Sequence, residues 1–332
     1  MTESEFLTRW HAERDMYAAW GLFVKNQIIA DLDAASERFD AHAFLKIPPE
    51  PRTKGDDSLI GKAFYRNKAY ADPYRNIEDK VGVRFVVLLT SDIKRIQQVI
   101  ERSTNWTCSL DRDYEAERET RPLEFTYQST HYVLKASNTF KTPFGVEVHK
   151  DTPCEVQIRT LLQHAHSELT HDNIYKREAG SEVAKTVERT VAKSMALIEA
   201  VDDYFMGAVK ELNAATRIER DALDVLTTVY SEHVGIAPQT DVSNRLVLQA
   251  FRQHLSGDLR RRLTELFGQK PFIAERVRGR AEKQYLFRQP WILLAYLLVD
   301  VAPAATAERW PLTPEELRPV YTDLGRAFPT SI

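Results

Sequence analysis

The run Asp79-Lys-Val-Gly-Val-Arg-Phe-Val-Val-Leu-Leu89 joins a carboxylate to an almost uninterrupted β-branched and apolar segment. A segment of this length and composition predicts a buried β-strand. Further along the chain, alternating or clustered apolar residues predict three more strands at 107–111, 130–136 and 154–158, and helical spacing predicts a helix at 92–102. Strands separated by helices indicate an α/β domain.

Helical patterns flank this region on both sides. Apolar residues recur at helical spacing over residues 1–45, and a cluster of three prolines then ends the pattern. A second helical pattern runs from Leu161 to about Asn213, and no strand is predicted after it. We therefore predict an N-terminal helical segment at 1–45, an α/β domain at 46–212 and an all-helical C-terminal domain at 217–332.

The composition excludes several classes of protein. Of 332 residues, 43% are apolar and 28% are charged, which excludes a disordered chain. With only Cys108 and Cys154 there is neither a disulfide framework nor a four-thiolate zinc site, so we expect a cytoplasmic protein. The most apolar stretch, Trp291–Val301, is shorter than the ~20 residues that a membrane span needs, and the acidic N-terminus is unlike a signal peptide. We expect no membrane partner.

The net charge of −3 conceals a local excess of positive charge. Between Arg245 and Pro290, eleven Lys and Arg residues stand against four acids, with five aromatic residues interleaved. Such a pattern suits a nucleic-acid surface, because cations meet phosphates and rings stack on bases. The alternative, a solvated helix face around core aromatics, is the commoner arrangement.

A cluster of cations precedes the predicted strand. Two lie in a loop, and a serine, a lysine and an arginine follow at a spacing of four, which places them on one face of a helix. The start of such a helix attracts phosphates, because its amide groups and the nearby cations favour anions. The alternative is that the aspartates at 56 and 57 cap the helix and that its polar face is only solvated. These candidate residues are Arg52, Lys54, Ser58, Lys62 and Arg66.

Two carboxylates mark the predicted sheet. Asp79 precedes one strand and Glu155 opens another, so a shared sheet could bring them together to hold Mg²⁺. Strand alternation places Glu155, Gln157 and Arg159 on one face, which is either a site or an exposed polar surface. Between them, Tyr127 could stack on a base and His131 could contact a phosphate or hydroxyl, although a structural role is as common.

The helical segment 163–176 contains three histidines. His164, Glu168 and His171 share one face, so zinc binding is one interpretation. The spacing is not His-Glu-x-x-His, and a polar face that supports the sheet is the stronger interpretation. Motifs for a serine nucleophile, a P-loop and a dinucleotide fold are all missing from the sequence.

In this order, the motifs resemble the synthetase domain of the RelA/SpoT family over residues 45–177. The matching patterns are Arg-x-Lys-x₃-Ser-x₃-Lys at 52–62, Asp-x-x-Gly-x-Arg at 79–84, Tyr-Gln-Ser-x-His at 127–131, Glu-Val-Gln-Ile-Arg-Thr at 155–160 and a His-Ala helix ending in Tyr-Lys at 164–176. The resemblance implies a nucleotidyltransferase-like mixed sheet flanked by helices. It also implies an enzyme without a hydrolase domain, because the family's His-Asp-x-x-Glu-Asp motif is missing.

The resemblance further implies a pyrophosphokinase, in which the 3′-hydroxyl of an acceptor attacks the β-phosphorus of ATP and AMP leaves. Charge neutralisation and in-line positioning dominate such transfers. On this basis Arg52 and Arg84 hold the adenine, while Lys54, Ser58, Lys62 and Arg66 hold the phosphates. Asp79 and Glu155 bind Mg²⁺, Glu155 also helps to deprotonate the hydroxyl, and Tyr127, His131, Gln157 and Arg159 line the acceptor side.

The sequence departs from the family mainly on the acceptor side. Leu123-Glu-Phe-Thr126 replaces the usual Lys-Pro-Asn-Gly, so we expect Arg121, or else Arg112 or Arg118, to replace the lost lysine. GDP or GTP is the first expected acceptor. The 3′ CCA end of tRNA, as in toxic relatives, is the second, and the basic segment supports it. A third possibility is an inactive nucleotide sensor.

The sequence of the C-terminal domain contains no recognisable functional motif. We expect one of three roles: a tRNA platform, an autoinhibitory or antitoxin-like domain, or a homo-oligomer surface built on Trp291–Val301. An antitoxin or a regulatory ligand is the partner that we expect at this domain.

Overall fold

The computed structural model describes residues 1–35, 39–66, 70–125, 129–143, 145–170, 185–255 and 257–329. The chain forms two compact units, Met1–Ala208 and Val209–Ile332. Each unit has its own hydrophobic core.

In its described residues, the first unit contains seven strands, seven whole helices and the greater part of an eighth. Its strands are β1 (Arg52–Thr53), β2 (Val81–Val87), β3 (Trp106–Arg112), β4 (Thr130–Ala136), β5 (Phe140–Lys141), β6 (Glu147–Val148) and β7 (Pro153–Thr160). Its helices are α1 (Glu3–Ala34), α2 (Ala41–Phe44), α3 (Asp56–Ile60), α4 (Pro73–Asn76), α5 (Thr90–Arg102), α6 (Tyr114–Thr120), α7 (Leu161–Thr170) and α8 (Lys185–Ala215), within which the first unit ends.

Five of the strands form a mixed sheet in the order β1-β2-β7-β4-β3, and β5 pairs with β6 separately. β2 and β7 are parallel, and the other pairs are antiparallel. All four strands predicted from the sequence are confirmed, as is the helix at 92–102. They could be predicted because each is a short apolar or alternating run, as buried strands require.

One face of the sheet is buried under α1 and α5. The apolar residues of α1 predicted from their spacing, from Phe6 to Leu32, are all buried. In α5, Ile93, Ile96 and Ile100 form the buried stripe. The expected single helix over 1–45 is shorter than predicted, because α1 ends at Ala34 and α2 is a separate turn capped by Asp40. With this face covered, polar side chains on the opposite face are left accessible.

The described residues of the second unit, 209–255 and 257–329, contain helices and the loops between them but no strand. Its helices are α9 (Arg217–Val234), α10 (Val242–Ala250), α11 (Leu259–Gln269), α12 (Phe272–Ala281), α13 (Trp291–Val301), α14 (Pro303–Glu308) and α15 (Pro314–Asp323). None of the described helices is both long and apolar enough to cross a membrane.

The prediction that Trp291–Val301 forms an oligomer surface is wrong. This segment is α13, and all its residues from Trp291 to Val299 are buried. It forms the centre of the core of the second unit, where α9, α10, α11 and α15 pack around it. A helix that is apolar on every side is typical of such a central position.

Most cations of the basic segment 245–290 have partners inside the second unit. Five form ion pairs with carboxylates, and three donate to backbone carbonyl groups. The ion-paired residues are Arg252, Arg260, Arg261, Lys270 and Arg280. Those that donate to carbonyls are Arg262, Arg278 and Arg288. Over 209–332 the sequence has 17 Lys and Arg against 15 Asp and Glu, so the local excess shrinks to +2.

Candidate active site

The accessible face of the five-stranded sheet carries a row of polar side chains. Arg84 of β2 lies opposite Gln157 of β7, which lies opposite His131 of β4, which in turn lies opposite Arg112 of β3. Because neighbours in register on adjacent strands point to the same side, these four side chains share a face. Glu155 lies two residues from Gln157 and is on this face as well.

Asp79 lies in the turn before β2 and binds two lysines. Its Oδ2 atom accepts hydrogen bonds from the Nζ atoms of Lys54 and Lys62, and the Lys62 distance is 2.8 Å. Burial raises the pKa of the Asp79 carboxyl, but the two ammonium groups outweigh this and hold the pKa below its usual range. Asp79 is therefore an anion at neutral pH, in contact with two cations.

Glu155 is bound by its neighbours on the sheet face. Its Oε1 lies 3.3 Å from His131 Nδ1, and Gln157 Nε2 donates to its Oε2 at 2.9 Å. Burial and the negative charge of Asp79 raise the pKa of Glu155, but the His131 and Gln157 contacts outweigh them and lower it overall. Asp79 and Glu155 are thus close enough to affect each other electrostatically, as the sequence suggested. Arg159, which is buried, donates to Gln157 Oε1 and completes the chain of contacts.

The pair of carboxylates fits a divalent cation in part. Oδ1 of Asp79 is buried and has no hydrogen-bond partner in the described part of the chain. A magnesium ion commonly takes one or two protein carboxylates and completes its shell with water and phosphate oxygens. Among the described residues, no group of three or more His, Cys, Asp or Glu is arranged to hold a metal by itself. The residues therefore suit Mg²⁺ that arrives with a phosphate ligand.

The cluster around 52–66 differs from the predicted regular helix. α3 begins at Asp56 and changes at Gly61 into a π-helical turn that ends at Tyr65, so residues four apart no longer share a stripe. Lys62 forms an ion pair with Asp79. Ser58 and Arg66 are exposed, and so is Arg52 of β1. Asp56 is not the helix cap; it accepts hydrogen bonds from the side chains of Trp10 and His11 on α1.

Arg84 forms an ion pair with a residue of α7. Its guanidinium donates to Glu168 at 2.9 Å, and His164 Nδ1 lies 3.7 Å from the same carboxylate. Burial, followed by the charges of Arg159 and Arg84, lowers the pKa of His164. His171, the third predicted zinc ligand, lies outside the described residues. The contacts show that this face of α7 supports β2, which was the stronger of the two interpretations.

The predicted acceptor side is built from the end of β3, α6 and the turn after it. Arg112 makes a bidentate ion pair with Glu117, and Arg118 pairs with Glu199 and Asp203. Arg121, the first expected substitute for the family lysine, pairs with Glu124 at 3.4 Å. Tyr127 lies outside the described residues.

One buried residue beside the site was not predicted. Lys80 is 1% exposed, its ammonium donates to the Ile77 carbonyl, and it lies 4.6 Å from the centre of the Tyr74 ring. Its own carbonyl accepts a hydrogen bond from the backbone N–H of Lys54. Burial lowers the pKa of Lys80 to about 8. The signal in the sequence is a lysine placed directly between Asp79 and an apolar strand.

Comparison with known families gives an independent view of this region. Residues 51–180 match the RelA_SpoT family, whose description is "Region found in RelA / SpoT proteins". These residues form a RelA/SpoT domain. The match includes all five strands of the mixed sheet and both carboxylates.

Solved structures agree with the fold of the RelA/SpoT domain. The chain is similar to small alarmone synthetase 1 from Bacillus subtilis, with a TM-score of 0.50 and 19% identity, covering 62% of this chain and 99% of that chain. A structure of the same synthetase bound to its product pppGpp gives a TM-score of 0.49 and 20% identity, covering 63% and 99%. A GTP pyrophosphokinase family protein from Streptococcus pneumoniae gives 0.48 and 18%, covering 63% and 98%. Comparison with curated protein sequences gives no match. The predicted mixed sheet flanked by helices is thereby confirmed.

Proposed function

We propose that the RelA/SpoT domain transfers the β,γ-pyrophosphate of ATP to the 3′-hydroxyl of a nucleotide acceptor and releases AMP. The observation that carries this proposal is the position of Asp79, which binds Lys54 and Lys62 in the turn before β2. Three residues further on, Gly82 lies opposite Glu155 of β7, and the charge of Asp79 acts on the Glu155 carboxyl. The match of residues 51–180 to the RelA_SpoT family and the likeness of the fold to a small alarmone synthetase support it. GDP and GTP are the first acceptors to test.

The donor end of the site, where ATP as the pyrophosphate donor would bind, contains the cations that ATP phosphates require. Lys54 and Lys62 are bound to Asp79 and can exchange that carboxylate for the phosphates of ATP, with Ser58, Arg66 and Arg52 exposed nearby along the chain. Asp79 and Glu155 would hold Mg²⁺, which supplies positive charge to the pyrophosphate as it leaves AMP.

Residues of the chain itself accept the proton of the acceptor hydroxyl and orient the carboxylate that receives it. The acceptor 3′-oxygen forms a bond to the β-phosphorus, and the bond from that phosphorus to the oxygen bridging to the α-phosphorus breaks. The hydroxyl proton passes to Glu155, which is ionised at neutral pH because its contacts with His131 and Gln157 offset the effect of its burial on the pKa. His131 and Gln157 fix the orientation of the Glu155 carboxylate, and Arg159 in turn holds Gln157.

Transfer to the 3′ end of tRNA is the second candidate. The observation in its favour is the altered acceptor segment, in which Leu123 stands where the family has lysine. The basic segment of the second unit supports it less than the sequence suggested, because eight of its eleven cations have partners within that unit.

Incubation with γ-³²P-labelled ATP and GDP, GTP or bulk tRNA tests the proposal directly. We expect a labelled acceptor with the wild-type chain and at least about a hundredfold less label with Asp79→Asn or Glu155→Gln. Glu147→Gln, which removes an exposed carboxylate outside the five-stranded sheet, is the matched control. Wild-type labelling by both site variants would refute the assignment. Melting temperatures that match the control show that a loss of label is not a loss of folding.

A further inference from the structure

A cavity of about 350 Å³ lies beside the acceptor end of the site. It is lined by residues from the end of β3, from α6 and from the turn at 121–124. Three arginines line it, and so do two glutamates. They are Arg112, Arg118, Arg121, Glu117 and Glu124. A cavity with three guanidinium groups next to a nucleotide site suits the binding of acceptor phosphates, provided that those groups are available.

The arginines of this cavity are already engaged. Arg112 binds Glu117 through Nε at 2.9 Å and Nη2 at 2.8 Å, which is the bidentate geometry that a phosphate would otherwise use. Arg118 lies 2.7 Å from Glu199, and Arg121 lies 3.4 Å from Glu124. Over residues 111–124 the sequence has six acids and three arginines, so the segment is negative overall.

The two ends of the site differ in the balance of cations and carboxylates. Lys54 and Lys62 share a single carboxylate, that of Asp79, which leaves an excess of positive charge for the phosphates of ATP. At the donor end, the exposed guanidinium groups of Arg52 and Arg66 form no ion pair with any residue that the structure describes. At the acceptor end, Arg112 lies opposite His131 in the sheet and is held by a carboxylate. Leu123, in the turn that closes the cavity, is 90% exposed and offers an apolar surface instead of a cation.

We infer that Glu117 and Glu124 determine acceptor specificity, because they hold the arginines that would otherwise bind the 5′-phosphates of the acceptor. A phosphate must displace the Glu117 carboxylate to bind Arg112 through both guanidinium positions, and it competes with the Glu124 carboxylate at Arg121. Each added phosphate therefore gains little binding energy. The acceptor is then selected by its nucleoside end, whatever the number of its 5′-phosphates. This inference rests on the proposed pyrophosphate transfer.

The test is the dependence of kcat/KM on acceptor charge in the full-length protein. Transfer from γ-³²P-labelled ATP is measured to GMP, GDP and GTP, and to an RNA oligonucleotide that ends in a free 3′-hydroxyl. We expect kcat/KM for the three nucleotides to agree within about threefold. Glu117→Gln removes the competing carboxylate charge from Arg112, so it raises kcat/KM for GTP over GMP by about tenfold, the value of one charge-assisted hydrogen bond. Glu124→Gln does the same through Arg121.

Glu119→Gln is the matched control, because Glu119 lies on the same helix and forms no ion pair within the described part of the chain. We expect it to leave the GTP-to-GMP ratio unchanged. RNA that is labelled as well as GMP also supports the inference, because its terminal nucleotide carries a single phosphate charge. A wild-type preference for GTP over GMP above about tenfold overturns it, as does an equal change of the ratio in Glu117→Gln and Glu119→Gln. If no acceptor is labelled, the proposed function fails and this inference fails with it.

Discussion

Gly82 of β2 lies opposite Glu155 of β7, and the space where a side chain at residue 82 would begin is bounded by Glu155 itself. A β-carbon placed on Gly82 would lie 3.5 Å from the Glu155 carbonyl oxygen and 3.8 Å from its Oε2. These are ordinary van der Waals distances, so a methyl group fits, but a longer side chain would extend alongside the carboxylate. Glycine at this position keeps one side of Glu155 open to a ligand.

Gly82→Ala and Gly82→Val are expected to separate folding from activity. Alanine should keep kcat within about threefold of wild type, whereas valine should lower it more than about tenfold by obstructing Glu155. Valine favours the strand conformation, so the melting temperature should hold in both variants. Steady-state pyrophosphate transfer and thermal unfolding are the two measurements. Full activity of Gly82→Val would show that this side of Glu155 is not used.

Lys80 fixes the turn that presents Asp79, and its replacement should affect activity more than stability. Lys80→Met keeps the buried aliphatic chain and removes the hydrogen bond to the Ile77 carbonyl. Because an apolar side chain needs no buried charge, we expect the free energy of unfolding to change by less than about 1.5 kcal/mol. The looser turn should lower kcat about tenfold.

Lys80→Arg is the conservative variant, and it should restore part of the loss by keeping a donor in the same place. Lys150→Met is the control, since Lys150 is exposed. A change in melting temperature with unchanged kcat would mean that Lys80 is purely structural.

The sequence was sufficient to predict the sheet, because each strand is encoded locally. The run that begins at Lys80 is apolar enough to be a strand wherever it packs, and Glu155, Gln157 and Arg159 share a face by strand alternation alone. The convergence of Asp79 with Glu155 also followed, once both strands were placed in one sheet.

Contacts between distant segments could not be predicted in this way. That Lys62 binds Asp79 depends on the π-helical turn at Gly61–Tyr65, for which the local sequence carries no rule. The short helix α6 has no apolar periodicity, and the pairing of its Arg118 with Glu199 spans more than eighty residues. For Trp291–Val301 the hydropathy did not distinguish a core helix from a surface that a partner covers.

Asp202 makes the stability of the first unit depend on pH. Its carboxyl is buried, accepts a hydrogen bond from Thr160 Oγ1 at 2.8 Å, and leaves Oδ1 without a partner in the described part of the chain. Burial raises its pKa from 3.8 to about 6. The folded state therefore binds the Asp202 proton more tightly than the unfolded state does, and the bound proton stabilises the fold. This contribution to the free energy of unfolding is fully present below pH 3.8 and is lost as the pH rises through about 6.

Asp202→Asn should accordingly stabilise the protein at pH 7.5 by about 1–3 kcal/mol, because it removes a buried charge. At pH 5 the difference should shrink, since most of the wild-type carboxyl is then protonated in the folded state. Thermal unfolding at the two pH values is the measurement. Glu188→Gln, at an exposed position of the same helix, should show no such dependence. A difference of equal size at both pH values would contradict the assignment.

Leu294 tests the position of α13 at the centre of the second unit. Its side chain is fully buried, so Leu294→Ala removes packing that the surrounding helices cannot fully recover. We expect a loss of about 2–5 kcal/mol in the free energy of unfolding. Because the helix is enclosed by its own unit, the elution volume on gel filtration should not change at temperatures where the variant is folded. Leu246→Ala is the matched control on a partly exposed surface, and it should cost less than about 1 kcal/mol. A shift to a smaller species in Leu294→Ala, with little loss of stability, would restore the interface interpretation that the burial of α13 excludes.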